Sequence, residues 1–465
     1  MPQFLDVFSP ISPTLQGLIV SSILITAATF SLVGGPLSDR ISRIYTFSLG
    51  SAIFAVGSAI VASSSTLAQL FIGRCIAGAG EGLFLSVIIV YHCEIAPTAI
   101  RGSLACTLQL LITIGVASGY FVCYGTVKIA GDMSWRIPFI LQTILSIVYA
   151  IGSPFLIHSP RWLRHVGRNE DAIKAWKRLG LNPAEAEKED ISAANEERQE
   201  ERRGNWRTEV RQLWKKDVRD RTILGCFLMG MQQLSGIDGV LYYAPTLFTQ
   251  AGLSSTKATF LASGVSGILN IGCTIITQPF QDKWGRRPLV LIGGSVISGC
   301  MLTIGSIYAS NAHTSASGRW AVIILLYLFV VAFSMSWAIA NRIYASEIQP
   351  MRTRAAATSL GQAANWIVNW VVAFSTPLFL ARSTSGPYFL FGGCTALTVI
   401  VCAAFLPESN GVSLESLDEI FQTSPWRKML SQLRAHRKPV LRRSVSEGVE
   451  MMPIQDAEDI ELYRP

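Results

Sequence analysis

The sequence predicts an all-α membrane protein built as two similar helix bundles. Three observations predict it. Windows of about 20 residues that are almost free of charge recur along the chain, the length at which a helix crosses hydrocarbon. Only 15% of the 465 residues are charged, half are hydrophobic, and the mean hydropathy is +0.38. Two charged motifs occur twice, once in each half.

Eleven windows can be placed. Five precede residue 158, at roughly 14–33, 45–63, 69–91, 103–125 and 137–157. Six follow residue 221, at roughly 222–248, 259–280, 288–309, 319–344, 356–380 and 387–406. The 38 glycines suit helices that pack closely in lipid. "GAGEG" at Gly78–Gly82 mimics a phosphate loop, but it lies inside a window with no preceding strand, so it reads as close helix packing. The nine cysteines have no metal-ligand spacing and read as reduced packing residues. No signal peptide is expected before the first window.

Charge placement sets the orientation. Of the 39 Lys and Arg residues, sixteen lie between Arg161 and Arg221 and eight lie from Arg427 onward. Arg40, Arg43, Arg101, Lys283, Arg286, Arg287, Arg352 and Arg354 fill short loops on the same predicted side. The opposite loops carry only Lys128, Lys257, Arg319 and Arg382. By the positive-inside rule the polar segment and the C-terminus are cytoplasmic. The formal net charge of +8 is thereby explained without a nucleic-acid partner. The expected division is a bundle at 1–157, a linker with short helices at 158–220, a bundle at 221–407 and a tail at 408–465. The basic tail stretch "RKPVLRRSVSE" reads as a surface or phosphorylation segment.

The repeat is parallel. Asp39 and Arg43 in "GGPLSDRISR" match Asp282 and Arg286 in "QPFQDKWGRR", with Arg287 beside them. Glu94 and Arg101 in "EIAPTAIRG" match Glu347 and Arg354 in "EIQPMRTRA". The offsets are 243 and 253 residues. Asp with Arg at i+4 can cap and pair neighbouring helix ends. These nine residues therefore form either a latch that closes one face or a static interfacial anchor. Two repeats related along the membrane normal place a substrate site between them at mid-membrane.

Together these motifs resemble the sugar porter family of the major facilitator superfamily. The resemblance rests on Gly73–Arg74, Glu94–Pro97–Arg101, "SPRWL" at Ser159–Leu163, "QQLSGIDGVLYY" from Gln232, "DKWGRR", Glu347–Pro350–Arg354 and "PESNGVSLESLDEIF", and covers nearly the whole chain. It implies a major facilitator fold and alternating-access transport of a monosaccharide or polyol, proton-coupled at full length. It also implies twelve spans, of which the first is missing here. A start at an internal methionine is expected, since the chain opens on the stretch that follows that helix in the family. The resemblance implies a substrate site of Gln109, Gln232, Gln233, Asp238, Asn270, Asn365 and Trp366, with Tyr242 and Tyr243 gating the outer vestibule.

The residues read the same way on their own. A sugar's hydroxyls donate and accept, as carboxamides do, and an unpartnered buried amide costs about 1–3 kcal/mol. Four charges remain at membrane depth: Arg74, Glu81, Asp238 and Arg342. Each costs at least about 2.5–3.5 kcal/mol at the bilayer centre, so mutual neutralisation is expected. Arg74 matches the arginine that pairs with a first-helix aspartate in proton-coupled members. Glu81, seven residues on, is an alternative proton carrier or a glutamate satisfied by a neighbouring helix.

Several positions depart from the family. Asp238 stands where asparagine is usual and Arg342 where tryptophan is usual. "FSMSWAIANRIYASE" lacks the Gly-Pro after its first tryptophan, Trp337. His158 replaces a glutamate, and the first loop lacks the Gly-Arg-Arg of its counterpart. An Asp238–Arg342 ion pair is expected, either structural beside a neutral sugar or as a device by which Arg342 binds an anionic sugar acid. A non-transporting sugar sensor and a transport-dead truncated product are the rivals. Five scattered histidines and no nucleophile–base pair argue against an enzyme. No cofactor or metal is called for. The partners are the sugar or polyol, protons and membrane lipid, for a monomeric protein of the plasma membrane.

Overall fold

The computed structural model describes residues 1–95, 101–180, 211–215, 218–253, 255–278, 284–350 and 353–406. Every regular element among them is helical. A short α1 (Pro2–Phe8) leads into α2 (Pro13–Ile41), which starts where Ser12 Oγ accepts from the Leu15 N–H at 3.2 Å. Pro13 takes the first helical position, where a missing N–H costs nothing. Then come α3 (Arg43–Ala62), α4 (Leu67–Ile95), α5 (Arg101–Thr126) and α6 (Met133–Gly152). Two polar helices follow, α7 (Pro160–His165), capped by Ser159, and α8 (Asn169–Arg178). In α8 the acids Glu170 and Asp171 sit in the first turn and Lys177 and Arg178 in the last, as the helix dipole favours.

The second half holds α9 (Arg219–Leu234), α10 (Ile237–Tyr242), α11 (Ala244–Gln250), α12 (Thr256–Thr277), α13 (Arg286–Ala309), α14 (Ala316–Met335), α15 (Trp337–Glu347), α16 (Arg354–Arg382) and α17 (Gly386–Phe405). Ten of the predicted windows coincide with helical stretches long and apolar enough to cross a membrane. The window at 222–248 differs, because it is not one helix. Gly236 takes φ +88°, and the Phe391 ring stands 2.5 Å from where a Cβ would be, so only glycine fits. The chain therefore leaves α9 after Leu234 and restarts as α10 at Ile237. A further break follows at Tyr243, with Pro245 in the first turn of α11. The window at 319–344 is also interrupted, at Ser336 with φ −130° and ψ −78°.

Packing in the first bundle centres on α4, held between α2 and α3. Alternate glycines make this possible. Gly78 and Gly82 lie against the α2 backbone at Ile23 and Ala27, while Gly80 lies against Gly50 and Phe54 of α3. "GAGEG" is thus a helix-packing stripe that lets backbones approach on both sides. The two halves meet along α2 with α16 and α5 with α12. At the second contact Gly267 admits Ala117, where an added Cβ would come within 2.8 Å. The second bundle encloses a large core that includes Leu228, Ile297, Met301, Phe329, Trp337 and Tyr344, all buried. The described cysteines are free thiols, buried or half-buried.

Candidate functional site

The break between α9 and α10 faces the break between α14 and α15. One bond joins them: Gln232 Nε2 donates to the Trp337 carbonyl at 2.8 Å. Trp337 is itself fixed, its Nε1 donating to the Val290 carbonyl of α13 at 2.9 Å. Gln232, Gln233 and Asn365 form a buried amide cluster at this crossing. Gln233 Nε2 donates to Asn365 Oδ1 at 3.1 Å. Asn365 Nδ2 donates to the Met229 carbonyl at 2.9 Å and reaches Gln232 Oε1 at 3.5 Å. Gln233 Oε1 is left without a partner among the described residues. An unfilled buried acceptor costs about 1–3 kcal/mol, so the cluster keeps capacity for a hydroxyl donor.

Other predicted residues lie around this crossing or apart from it. Asp238 is half-buried, with Gln233 and Arg342 as electrostatic neighbours. Asp238 and Arg342 make no contact within 4.0 Å, and neither do Arg74 and Glu81, so the expected ion pair is a longer-range interaction. Tyr242 is 41% exposed, and its hydroxyl accepts from Asn369 Nδ2 at 3.4 Å. Tyr243 is buried and donates to the Ala373 carbonyl at 2.7 Å. Trp366 is half-buried on α16. Asn270 is buried but belongs to another contact, accepting from Ser334 Oγ at 2.8 Å between α12 and α14. Gln109 is half-buried on α5 and makes no hydrogen bond to another described residue.

Charge also approaches across the two halves. Arg74 of α4 donates Nη2 to the Val20 carbonyl at 2.9 Å, and its electrostatic neighbours are Glu81, Tyr242 and Tyr243. The Tyr120 hydroxyl of α5 donates to the Leu241 carbonyl of α10.

The motif charges pair between neighbouring turns. Arg43 contacts Asp39 four residues back and donates Nη2 to Glu94 at 3.0 Å. Arg286 repeats this with Glu347 at 3.3 Å. Arg287 Nη2 donates to the Ala403 carbonyl at 2.9 Å. Ser42 Oγ lies 3.0 Å from His158 Nδ1, and Trp162 Nε1 donates to the Asp39 carbonyl at 2.9 Å. His158, outside the spans, is held below the ordinary histidine pKa by burial and by Arg168. Asp282 lies outside the described residues, as do the side chains of Arg101 and Arg354.

Sequence reasoning missed Asn369, Tyr120 and Asn341. Asn369 was visible as a second asparagine one turn after Asn365 on the same helix face. Tyr120 carried no signal, because its acceptor is a backbone carbonyl freed by a distant helix break. Asn341 is fully buried with neither amide atom partnered.

Two helical bundles, the second enclosing a polar cluster where two of its broken helices face each other, fit a multi-pass membrane transporter. The family model described as "Sugar (and other) transporter" matches residues 8–421. The chain is 34% identical over 415 residues to the glucose transporter GlcP of Staphylococcus epidermidis, covering 88% of this chain and 89% of that one. It is 31% identical to polyol transporter 5 of Arabidopsis thaliana, over 90% and 80% of the two chains. Similarity extends to a probable quinate permease of Neosartorya fischeri, 30% identical over 92% and 84%. Among solved structures, the inward-open xylose transporter XylE from E. coli superposes with a TM-score of 0.75 at 25% identity, covering 90% of this chain and 93% of that one. The chain belongs to the sugar transporter family, with the major facilitator fold.

Proposed function

We propose that this protein carries a sugar or polyol across a membrane by alternating access of its two bundles, in symport with protons. One observation carries the reading: three buried carboxamides meet where two interrupted helices face each other, and one acceptor remains unfilled. Helix breaks free backbone groups at the point where a solute must be held, as in other secondary transporters. The glucose and polyol carriers among the relatives favour the same solute class. Asn270, Gln109 and Trp366 complete the site as the bundles close. Arg43–Glu94 and Arg286–Glu347 act as a latch at one end, broken when that end opens. By the positive-inside rule that end is cytoplasmic. Arg74 and Glu81, next to Tyr242 of the other bundle, are the proton-coupling pair. The reading keeps bundles at 1–157 and 221–407, in a monomer of the plasma membrane.

Uptake by the full chain in proteoliposomes tests this. Radiolabelled glucose, xylose, sorbitol and D-glucuronate are offered with an inward proton gradient. Accumulation of at least one label, abolished by a protonophore, is expected. Gln232→Ala and Asn365→Ala should each cut uptake tenfold or more. Equilibration without accumulation removes the proton from the mechanism. Binding without uptake makes the chain a sensor, and neither binding nor uptake ends the reading.

A further inference from the structure

Arg342 sits on α15, is exposed, and lines a cavity. The cavity holds about 60 Å³ and is lined by Gly225 and Met229 of α9, by Arg342, and by Thr358, Gly361 and Gln362 of α16. That is several times the roughly 10–15 Å³ that one water needs, enough for a carboxylate. Thr358 and Gln362 bring the other side-chain hydrogen-bonding groups.

The guanidinium makes no hydrogen bond or ion pair with another described residue. Its electrostatic partner, Asp238, stays beyond 4.0 Å. Five N–H donors in a planar fork thus have no acceptor among the described residues. The neighbouring residue adds to the surplus. Asn341 is fully buried, and neither its nitrogen nor its oxygen has a partner among the described residues. This turn of α15 carries more hydrogen-bonding capacity than the protein itself fills.

The cavity adjoins the amide cluster. Met229 lines it and also accepts, through its carbonyl, from Asn365. Gln232 is bonded to Trp337, five residues before Arg342, which is about 7.5 Å along the helix axis. That rise along the backbone is on the order of the length of one six-carbon polyol. Hydroxyl-binding amides lie at one end and a forked cation at the other.

We propose that the substrate class of this site is an anionic polyol, a sugar acid whose carboxylate seats on Arg342 while its hydroxyls meet Gln232, Gln233 and Asn365. The proposal rests on the transport reading above and names its solute. A carboxylate accepts two parallel bonds from one guanidinium, a match that a single hydroxyl cannot make. Asp238 balances Arg342 in the empty site and competes with the incoming anion.

Calorimetry on the purified full chain in nanodiscs tests the assignment. The probes are D-glucuronate, D-galacturonate and D-gluconate, each beside its uncharged amide, with glucose and sorbitol for comparison. At least one acid should bind tenfold or more tightly than its amide. Arg342→Gln should bring that ratio close to one, and Arg342→Lys should keep part of it, since charge stays but the fork is lost. Asp238→Asn should tighten the acid, because a competing anion is gone. If Arg342 only neutralises Asp238, the same substitution leaves the acid-to-amide ratio unchanged, which counts against the proposal. The proposal is overturned if no acid outbinds its amide, or if Arg342→Gln runs as a single species on gel filtration with the ratio intact. Binding of glucose or sorbitol without acid preference overturns this inference and leaves the transport reading standing. Binding of none of the probes overturns both.

Discussion

Between α2 and α3 the chain reverses at Ser42 with φ 101° and ψ 148°; before α13 it passes Gly285 with φ 77° and ψ 151°. These are matching positions of the two repeats, 243 residues apart. The backbone region is one that only glycine enters freely, at a cost of about 1–3 kcal/mol for other residues. The second repeat meets the requirement with glycine. The first holds a buried serine there by tying its hydroxyl to His158 and the preceding Asp39 carbonyl to Trp162. The same turn is therefore specified locally in one bundle and by tertiary contacts in the other. Packing differs too. In the first bundle close approach is concentrated on α2, α3 and α4, whereas Gly115 and Gly119 of α5 face open space.

The largest effect should come from the tight contact. Gly57 of α3 lies against Ala77 of α4. Gly57→Leu should destabilise the protein by about 3 kcal/mol, the upper range for overpacking, while Gly115→Leu should change stability by less than about 0.5 kcal/mol. Thermal melts in detergent read both. Equal damage would mean that another element packs on the α5 glycines.

The latch arginines come next. Arg43 and Glu94 are 12% and 10% exposed at their side chains, against 11% and 28% for Arg286 and Glu347. Arg43→Ala leaves the more deeply buried carboxylate behind, so it should cost about 2–3 kcal/mol and Arg286→Ala about 1–2 kcal/mol. The reverse order would show that the second turn, not the first, depends on its ion pair.

A smaller gain is expected from Ser42→Gly. It relieves strain of about 1–3 kcal/mol and gives up a hydrogen bond worth about 1 kcal/mol, for a net rise in stability of about 1 kcal/mol or less. A lower melting temperature would show that the His158 contact outweighs the strain.

The smallest effect is a pH dependence. Because burial lowers the His158 pKa, the folded protein favours the neutral ring. Its contribution is therefore fully present above the unfolded value of about 6.5 and is lost as pH falls through that value towards the lower folded one. Melting temperature should fall between pH 8 and pH 5, and less steeply in His158→Gln. Parallel profiles would remove His158 from the first turn's support.

Periodicity was a reliable guide where one face or one long window decided the outcome. Ten windows, the two-fold repeat and the glycine packing of α4 could all be read from residue order, because hydrocarbon demands long uninterrupted helices and backbones approach only where side chains are small. The candidate site was legible in its residue types. "QQLSG" and "ANWIVN" announced buried amides, and Asp238 and Arg342 stood out because charge is costly in lipid.

What the chain order could not settle was who meets whom. Gly236 is one glycine among 38, and its left-handed turn becomes compulsory only when Phe391 of α17 is brought against it. Asn270 and Asn365 look alike in sequence, yet one bonds Ser334 and the other joins the glutamines, since partners in different helices are chosen by packing. The sequence by itself determined the membrane class, the duplication and the chemical inventory, all consequences of local composition and spacing. Only the tertiary structure decided where helices break, which amides saturate one another and which cation is left facing a cavity, because those depend on contacts between residues more than a hundred positions apart.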